Sequence, residues 1–185
     1  EDPVIEVAHE GDFEFRQWED VSIPFFIKDP DGDPVIVETE IEGRARFTRS
    51  TTEDYTYYFS ILCELVSDFS PKKVKIIAKD AFGGETVKEF RYTVLKNREP
   101  EIIGTIPDKL RYRSDSPEQI DIESLFIDPD EETLRYAVTV TPETVVSTRI
   151  EDGKLVLRGL GTGMADVTLA ASDYMGKKAE LGCKV

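Results

Sequence analysis

One histidine, one tryptophan and two cysteines occur in 185 residues, so the raw material for most catalytic chemistry is missing. His9 has neither a second histidine nor a neighbouring thiol, which removes Ser-His-Asp, Cys-His and zinc arrangements. No Gly-x-Ser-x-Gly elbow, phosphate-cradling glycine loop or dinucleotide fingerprint appears, and Gly161-Thr162-Gly163 has only the length of a turn. The chain therefore reads as a protein without catalytic residues. Cys63 and Cys183 are too few for a disulfide framework; Cys63 alternates in step with Tyr57, Phe59 and Ile61, which predicts a buried thiol. Sandwich domains have cores large enough to do without disulfides, so this scarcity leaves an extracellular home open. No apolar run approaches the ~20 residues of a membrane-spanning helix. Positive charge is also short, with 23 Lys and Arg against 38 Asp and Glu, a net −15 that repels phosphate backbones and anionic lipid. Nucleic acid is not expected as a partner on that ground, and without an apolar run neither is direct membrane insertion. The opening Glu1-Asp2-Pro3-Val4 lacks the basic start and apolar stretch of a leader and reads as a mature segment or an excised fragment.

What is present is written twice. Asp29-Pro30-Asp31-Gly32-Asp33 returns as Asp128-Pro129-Asp130-Glu131-Glu132, and Ala78-Lys79-Asp80-Ala81-Phe82-Gly83 returns as Ala171-Ser172-Asp173-Tyr174-Met175-Gly176. The spacing implies two tandem units of about 90–100 residues, the size of β-sandwich domains. Short alternating segments bounded by Gly, Pro or Asp recur throughout, and none sustains a 3.6-residue period, so the fold class is all-β.

Strands are expected near residues 4–7, 21–27, 35–41, 44–49, 55–63, 74–79 and 86–95 of the first unit. In the second they are expected near 101–103, 119–122, 134–140, 145–150, 154–158, 165–170 and 178–185. Phe13–Trp18 is placed in a turn, and Ser124–Ile127 as a single helical turn because Leu125 and Phe126 break the alternation. The domains are 1–97 and 98–185, joined by Leu95-Lys96-Asn97-Arg98-Glu99-Pro100, a junction too short and too poor in Gly and Ser to be a loose tether.

The repeated residues resemble a known family. The Asp-Pro-Asp-Gly-Asp loop, the run Ile76-Ile77-Ala78-Lys79-Asp80-Ala81-Phe82-Gly83-Gly84-Glu85 and the closing Asn97-x-x-Pro100 are similar to bacterial cadherin-like and PKD-like immunoglobulin-fold repeats of secreted and cell-surface proteins. Gly153–Gly163 followed by Ala165–Asp173 carries the same resemblance in the second half. It implies two immunoglobulin-like sandwiches in a bacterial protein outside the cell or on its surface. Such repeats serve as spacers, adhesins or accessory modules of larger enzymes. The partners implied are neighbouring domains of a longer chain, a surface protein or a glycan. Two functional readings follow: a semi-rigid spacer or adhesion module, and an accessory, carbohydrate-binding part of an extracellular hydrolase.

If the strand order is immunoglobulin-like, the loop after the second strand and the loop before the last emerge at one pole. Asp29, Asp31 and Asp33 then gather near Asp80, and Asp128, Asp130 and Glu131 near Asp173. Calcium takes six to eight oxygens, and two converging acidic loops could supply them. The same residues are ordinary turn chemistry, with Pro fixing φ and Asp capping nearby amides; that is the preferred reading, and no cofactor is then needed. An EF-hand is excluded, because Pro34 stands where that loop requires glycine. Cadherins proper have an acid-rich linker, whereas this one offers Lys96 and Arg98, so an ion pair to the second unit's acids competes with metal. Trp18 is read as a rim-of-core or interface side chain, with a sugar-stacking platform as the alternative, and Tyr58 as an outward neighbour on a strand face.

Overall fold

A computed structural model describes residues 1–107 and 117–185. The chain divides into two compact units, Glu1–Lys96 and Asn97–Val185. In the first, β1 (Val4–Val7), β3 (Asp20–Lys28), β6 (Thr56–Leu62) and β5 (Arg46–Arg49) form one sheet in that order. The second sheet runs β2 (Phe13–Arg16), β8 (Glu85–Leu95), β7 (Lys72–Lys79), β4 (Ile36–Ile41). This is the strand order of an immunoglobulin-like sandwich, with β2 added in parallel to the edge of β8.

Alternation selects the core. Val74, Ile76 and Ala78 of β7 and Phe90, Tyr92 and Val94 of β8 are buried, while Lys73, Glu89 and Arg91 face water. The interior is aromatic: Phe90 meets Phe13 edge-on at 5.2 Å and Phe59 at 5.5 Å, and Tyr92 meets Phe59 at 5.4 Å. The Tyr92 hydroxyl reaches the core boundary and donates to the Glu42 carbonyl at 2.8 Å.

The second unit repeats the plan with an aliphatic core of Ile122, Leu155, Leu157, Val167 and Leu169. Its strands β10 (Glu118–Asp121), β14 (Lys154–Gly159) and β13 (Val146–Glu151) form one sheet, and β12 (Arg135–Thr141), β15 (Asp166–Ser172) and β16 (Lys178–Lys184) the other. The short strands β9 (Glu101–Ile102) and β11 (Phe126–Ile127) pair just before the acidic loop. The chain is thus all-β, two tandem immunoglobulin-like sandwiches, as the alternation and repeats imply.

Three local expectations need correction. Phe13–Arg16 is a strand, because Phe13 and Phe15 alternate inward and β8 offers an unpaired edge. Ser124–Ile127 is not helical: Leu125 N–H closes a turn on the Ile122 carbonyl at 2.9 Å, and Phe126 and Ile127 then pair with β9. Ile122, Leu125 and Phe126 are all buried, so the broken alternation records a kink that keeps every apolar side chain inside. The strand expected to run through Cys63 stops at Leu62, and Cys63–Leu65 form a single 3₁₀ turn. Cys63 stays fully buried there, and burial pushes its thiol up to about 11. Among the described residues no helix is long and apolar enough to cross a membrane.

Candidate metal centre

Each repeat folds its acidic loop the same way. Asp29 Oδ1 accepts from the amides of Asp31 at 2.8 Å and Asp33 at 3.3 Å, while Gly32 N–H closes the turn on the Asp29 carbonyl at 3.2 Å. Asp128 Oδ1 accepts from Asp130 at 2.8 Å and Glu132 at 3.3 Å, and Glu131 N–H closes on Asp128 at 3.1 Å. The first aspartate of each motif therefore stands inside as an Asx turn. Both are buried, at 6% and 4% exposure.

The loops before the last strands match as well. Asp80 Oδ1 accepts from Phe82 and Gly84 amides at 2.7 and 2.8 Å, and the Gly84 hydrogen bond, first among several, holds its carboxyl below the usual range. Asp173 Oδ1 accepts from the Lys177 amide at 2.8 Å.

The poles differ in how their remaining charge is met. In the first unit the Glu1 ammonium contacts Asp31. In the second, Arg98 donates its backbone N–H to Asp130 Oδ2 at 2.7 Å and its Nε to Asp130 Oδ1 at 2.8 Å, with Nη2 2.7 Å from the same oxygen. Arg98 also donates to the Pro129 carbonyl. Asn97 Nδ2 donates to Asp173 Oδ2 at 2.8 Å, and Lys177 Nζ donates to the Asn97 carbonyl at 2.6 Å. Arg98 thus makes the ion pair the sequence offers, whereas Lys96 is exposed and the second cation at the pole is Lys177.

Among the described residues, Asp128, Asp130 and Glu132 form the only group of three carboxylates with oxygens within 4.8 Å of one another. Glu132 was not among the residues singled out by sequence; Glu131 was. The register of the repeat shows why: Glu132 is the counterpart of Asp33, while Glu131 replaces Gly32 at positive φ (63°) and is exposed. Glu132 Oε2 accepts from the Tyr174 amide at 3.0 Å. Burial, followed by the charges of Asp128, Asp173 and Asp130, raises its carboxyl above the usual range despite that bond.

Two buried carboxylate oxygens here lack a hydrogen-bond partner, Asp128 Oδ2 and Glu132 Oε1. Asp130 and Asp173 already have both oxygens engaged by protein donors. Arg98 brings to Asp130 a positive charge that competes with a bound cation, while Asp128 Oδ2 and Glu132 Oε1 remain open to one. As arranged, the donors make an ion-paired, hydrogen-bonded turn.

The aromatic candidates are engaged locally. The Arg16 guanidinium lies 5.8 Å over the Trp18 ring, and the Tyr58 hydroxyl donates to Glu53 at 2.5 Å. His9 is exposed, its ring edge-on to Phe13 at 5.5 Å.

No protein-family model matches the chain, and no curated protein matches its sequence. Several solved structures are similar over nearly its whole length. An I-band fragment of titin is 12% identical with a TM-score of 0.44, the match covering 98% of this chain and 64% of that one. Fibronectin(III)-like modules of Clostridium thermocellum CbhA are 15% identical with a TM-score of 0.37, covering 98% of this chain and 92% of that one. The N-terminal immunoglobulin module of the Drosophila receptor protein tyrosine phosphatase DLAR is 11% identical with a TM-score of 0.38, covering both chains completely. The chain spans less than two thirds of the titin fragment's length. These likenesses concern architecture alone, and the tandem immunoglobulin-like assignment rests on the strand order within each unit.

Proposed function

We propose that this chain is a non-catalytic tandem module of the cadherin-like repeat type, working as a semi-rigid spacer or adhesion element in a bacterial secreted or cell-surface protein. The observation that carries the reading is the brevity of the junction. Leu95 is still paired with Arg16 in the first unit's sheet, and Asn97 is already buried and bonded to Asp173 in the second. Only Lys96 lies between two fastened residues. A spacer needs that economy, because each free linker residue adds conformational freedom that a stalk must suppress. The acids of the second pole then act by fixing the start of their own domain through Asn97 and Arg98. Backbone ¹⁵N relaxation on the full chain tests this: the two units share one rotational correlation time, and insertion of Gly-Ser-Gly after Lys96 separates it into two. Independent tumbling of the uninserted chain would remove the spacer reading.

A second reading, calcium binding at Asp128, Asp130, Glu132 and Asp173, is favoured by the two unpartnered oxygens. Calorimetric titration with calcium, repeated on Asp128→Asn, separates it from the ion-paired turn. Heat that the substitution abolishes would support metal, and its absence at millimolar calcium would leave the turn.

A further inference from the structure

The two repeats treat one edge strand differently. β4 and β12 occupy equivalent places, each at the end of its sheet and each paired on one side only among the described residues. An open edge presents a row of free N–H and C=O groups, which natural sheets blunt with charge, Pro or a bulge. β4 is blunted: its outward Glu38 is 2.8 Å from Lys79 and its Glu40 3.8 Å from Lys75. In β12 the same register positions hold Ala137 and Thr139, opposite Ala170 and Thr168 where β7 has Ile77 and Lys75. From Tyr136 to Thr141 there is no charge, Gly or Pro, in a chain whose residues are 33% charged.

We propose that β12 is a self-association edge, at which two copies of this chain pair their β12 strands antiparallel about a two-fold axis. The two three-stranded sheets would then join as one of six strands. The strand is its own complement. Centred on Val138, Ala137 faces Thr139 of the second copy, Tyr136 faces Val140, and the only charge, Arg135, faces Thr141. No like charges oppose one another. The half-buried row of Tyr136, Val138 and Val140 meets an identical row, so the apolar layer continues across the axis. The outer face of this sheet carries Arg135, Lys178 and Lys184 against Asp166 and Glu180, so the acidic excess that repels copies elsewhere is absent here. That local balance favours a second copy over a strongly charged foreign segment.

Sedimentation equilibrium of the full chain from micromolar to millimolar concentration tests the proposal. A monomer–dimer equilibrium is expected, weakened about tenfold by Ala137→Glu with Thr139→Glu, which sets like charges face to face on both sides of the axis. Both positions are exposed, and an unchanged melting curve confirms that the variant folds. Hydrogen exchange on the unsubstituted chain gives an independent reading, with the Tyr136–Thr141 amides gaining protection as concentration rises. A monomer at every concentration, or a dimer indifferent to the two glutamates, would overturn it.

Discussion

Arg98 holds Asp130 by backbone and side chain together, its amide on one carboxylate oxygen and its guanidinium on the other. Asp130 is 6% exposed, so the pair is anchored at its buried end while Arg98 remains largely in water. Truncating the arginine leaves a buried carboxylate without its cation. Arg98→Ala is expected to lower the second unit's stability by about 1–2 kcal/mol, below the cost of breaking a wholly buried pair because Arg98 is exposed. Asp130→Asn added to Arg98→Ala should recover part of it. Urea unfolding followed by amide signals of the second unit measures both.

Glu131 and Gly32 occupy the same turn position with φ of 63° and 82°. Glycine adopts that region freely and glutamate does not. Gly32→Glu is expected to destabilise the first unit by about 1 kcal/mol, with Glu131→Gly neutral or stabilising by a similar amount in the second. Nothing lies within 4 Å of a Cβ built at Gly32, so the effect is conformational and not steric. Thermal melts of the two single variants decide it.

Glu132 gives the second unit a pH dependence of definite sign. Its carboxyl is raised in the folded chain by burial and by Asp128, Asp173 and Asp130, so the native state binds its proton more tightly than the unfolded state does. Its contribution is therefore favourable below the ordinary glutamate range and is lost as pH rises through the native value, staying unfavourable above it. Glu132→Gln keeps an oxygen for the Tyr174 amide and removes the charge. The variant should be the more stable protein at neutral pH, with the two converging in acid, as read from urea midpoints across pH 4–8 at about one-unit steps. A variant less stable at neutral pH would mean that Glu132 is held ionised by a partner.

The fold and the turns of the acidic loops were legible because alternation and repeated turn motifs are local signals. Val74-Lys75-Ile76 declares a half-buried strand, and Asp29-Pro30-Asp31-Gly32 declares a turn, without knowledge of anything distant. What escaped was set by remote partners. Phe13–Arg16 is only four residues long and becomes a strand because β8 lies beside it. Lys177 was not visible as a pole cation because its counterpart in the first repeat is Gly84, so the repeat itself gave no hint. Glu132 was hidden by its neighbour Glu131, since two adjacent acids look alike until the register separates the turn residue from the buried one.

The two cores differ in chemistry and should differ in response. Phe59 is fully buried and contacts Phe15, Phe90 and Tyr92, so Phe59→Ala opens a cavity within an aromatic cluster. The expected loss is about 3–5 kcal/mol, confined to the first unit. Leu157→Ala, fully buried in the aliphatic core, should cost the second unit about 2–5 kcal/mol. Because each cluster is assembled from residues of one unit, each substitution should lower one transition in a calorimetric scan and leave the other in place. A single transition displaced equally by either variant would show that the units unfold as one cooperative body, and their separate cores would then be a feature of packing without independent stability.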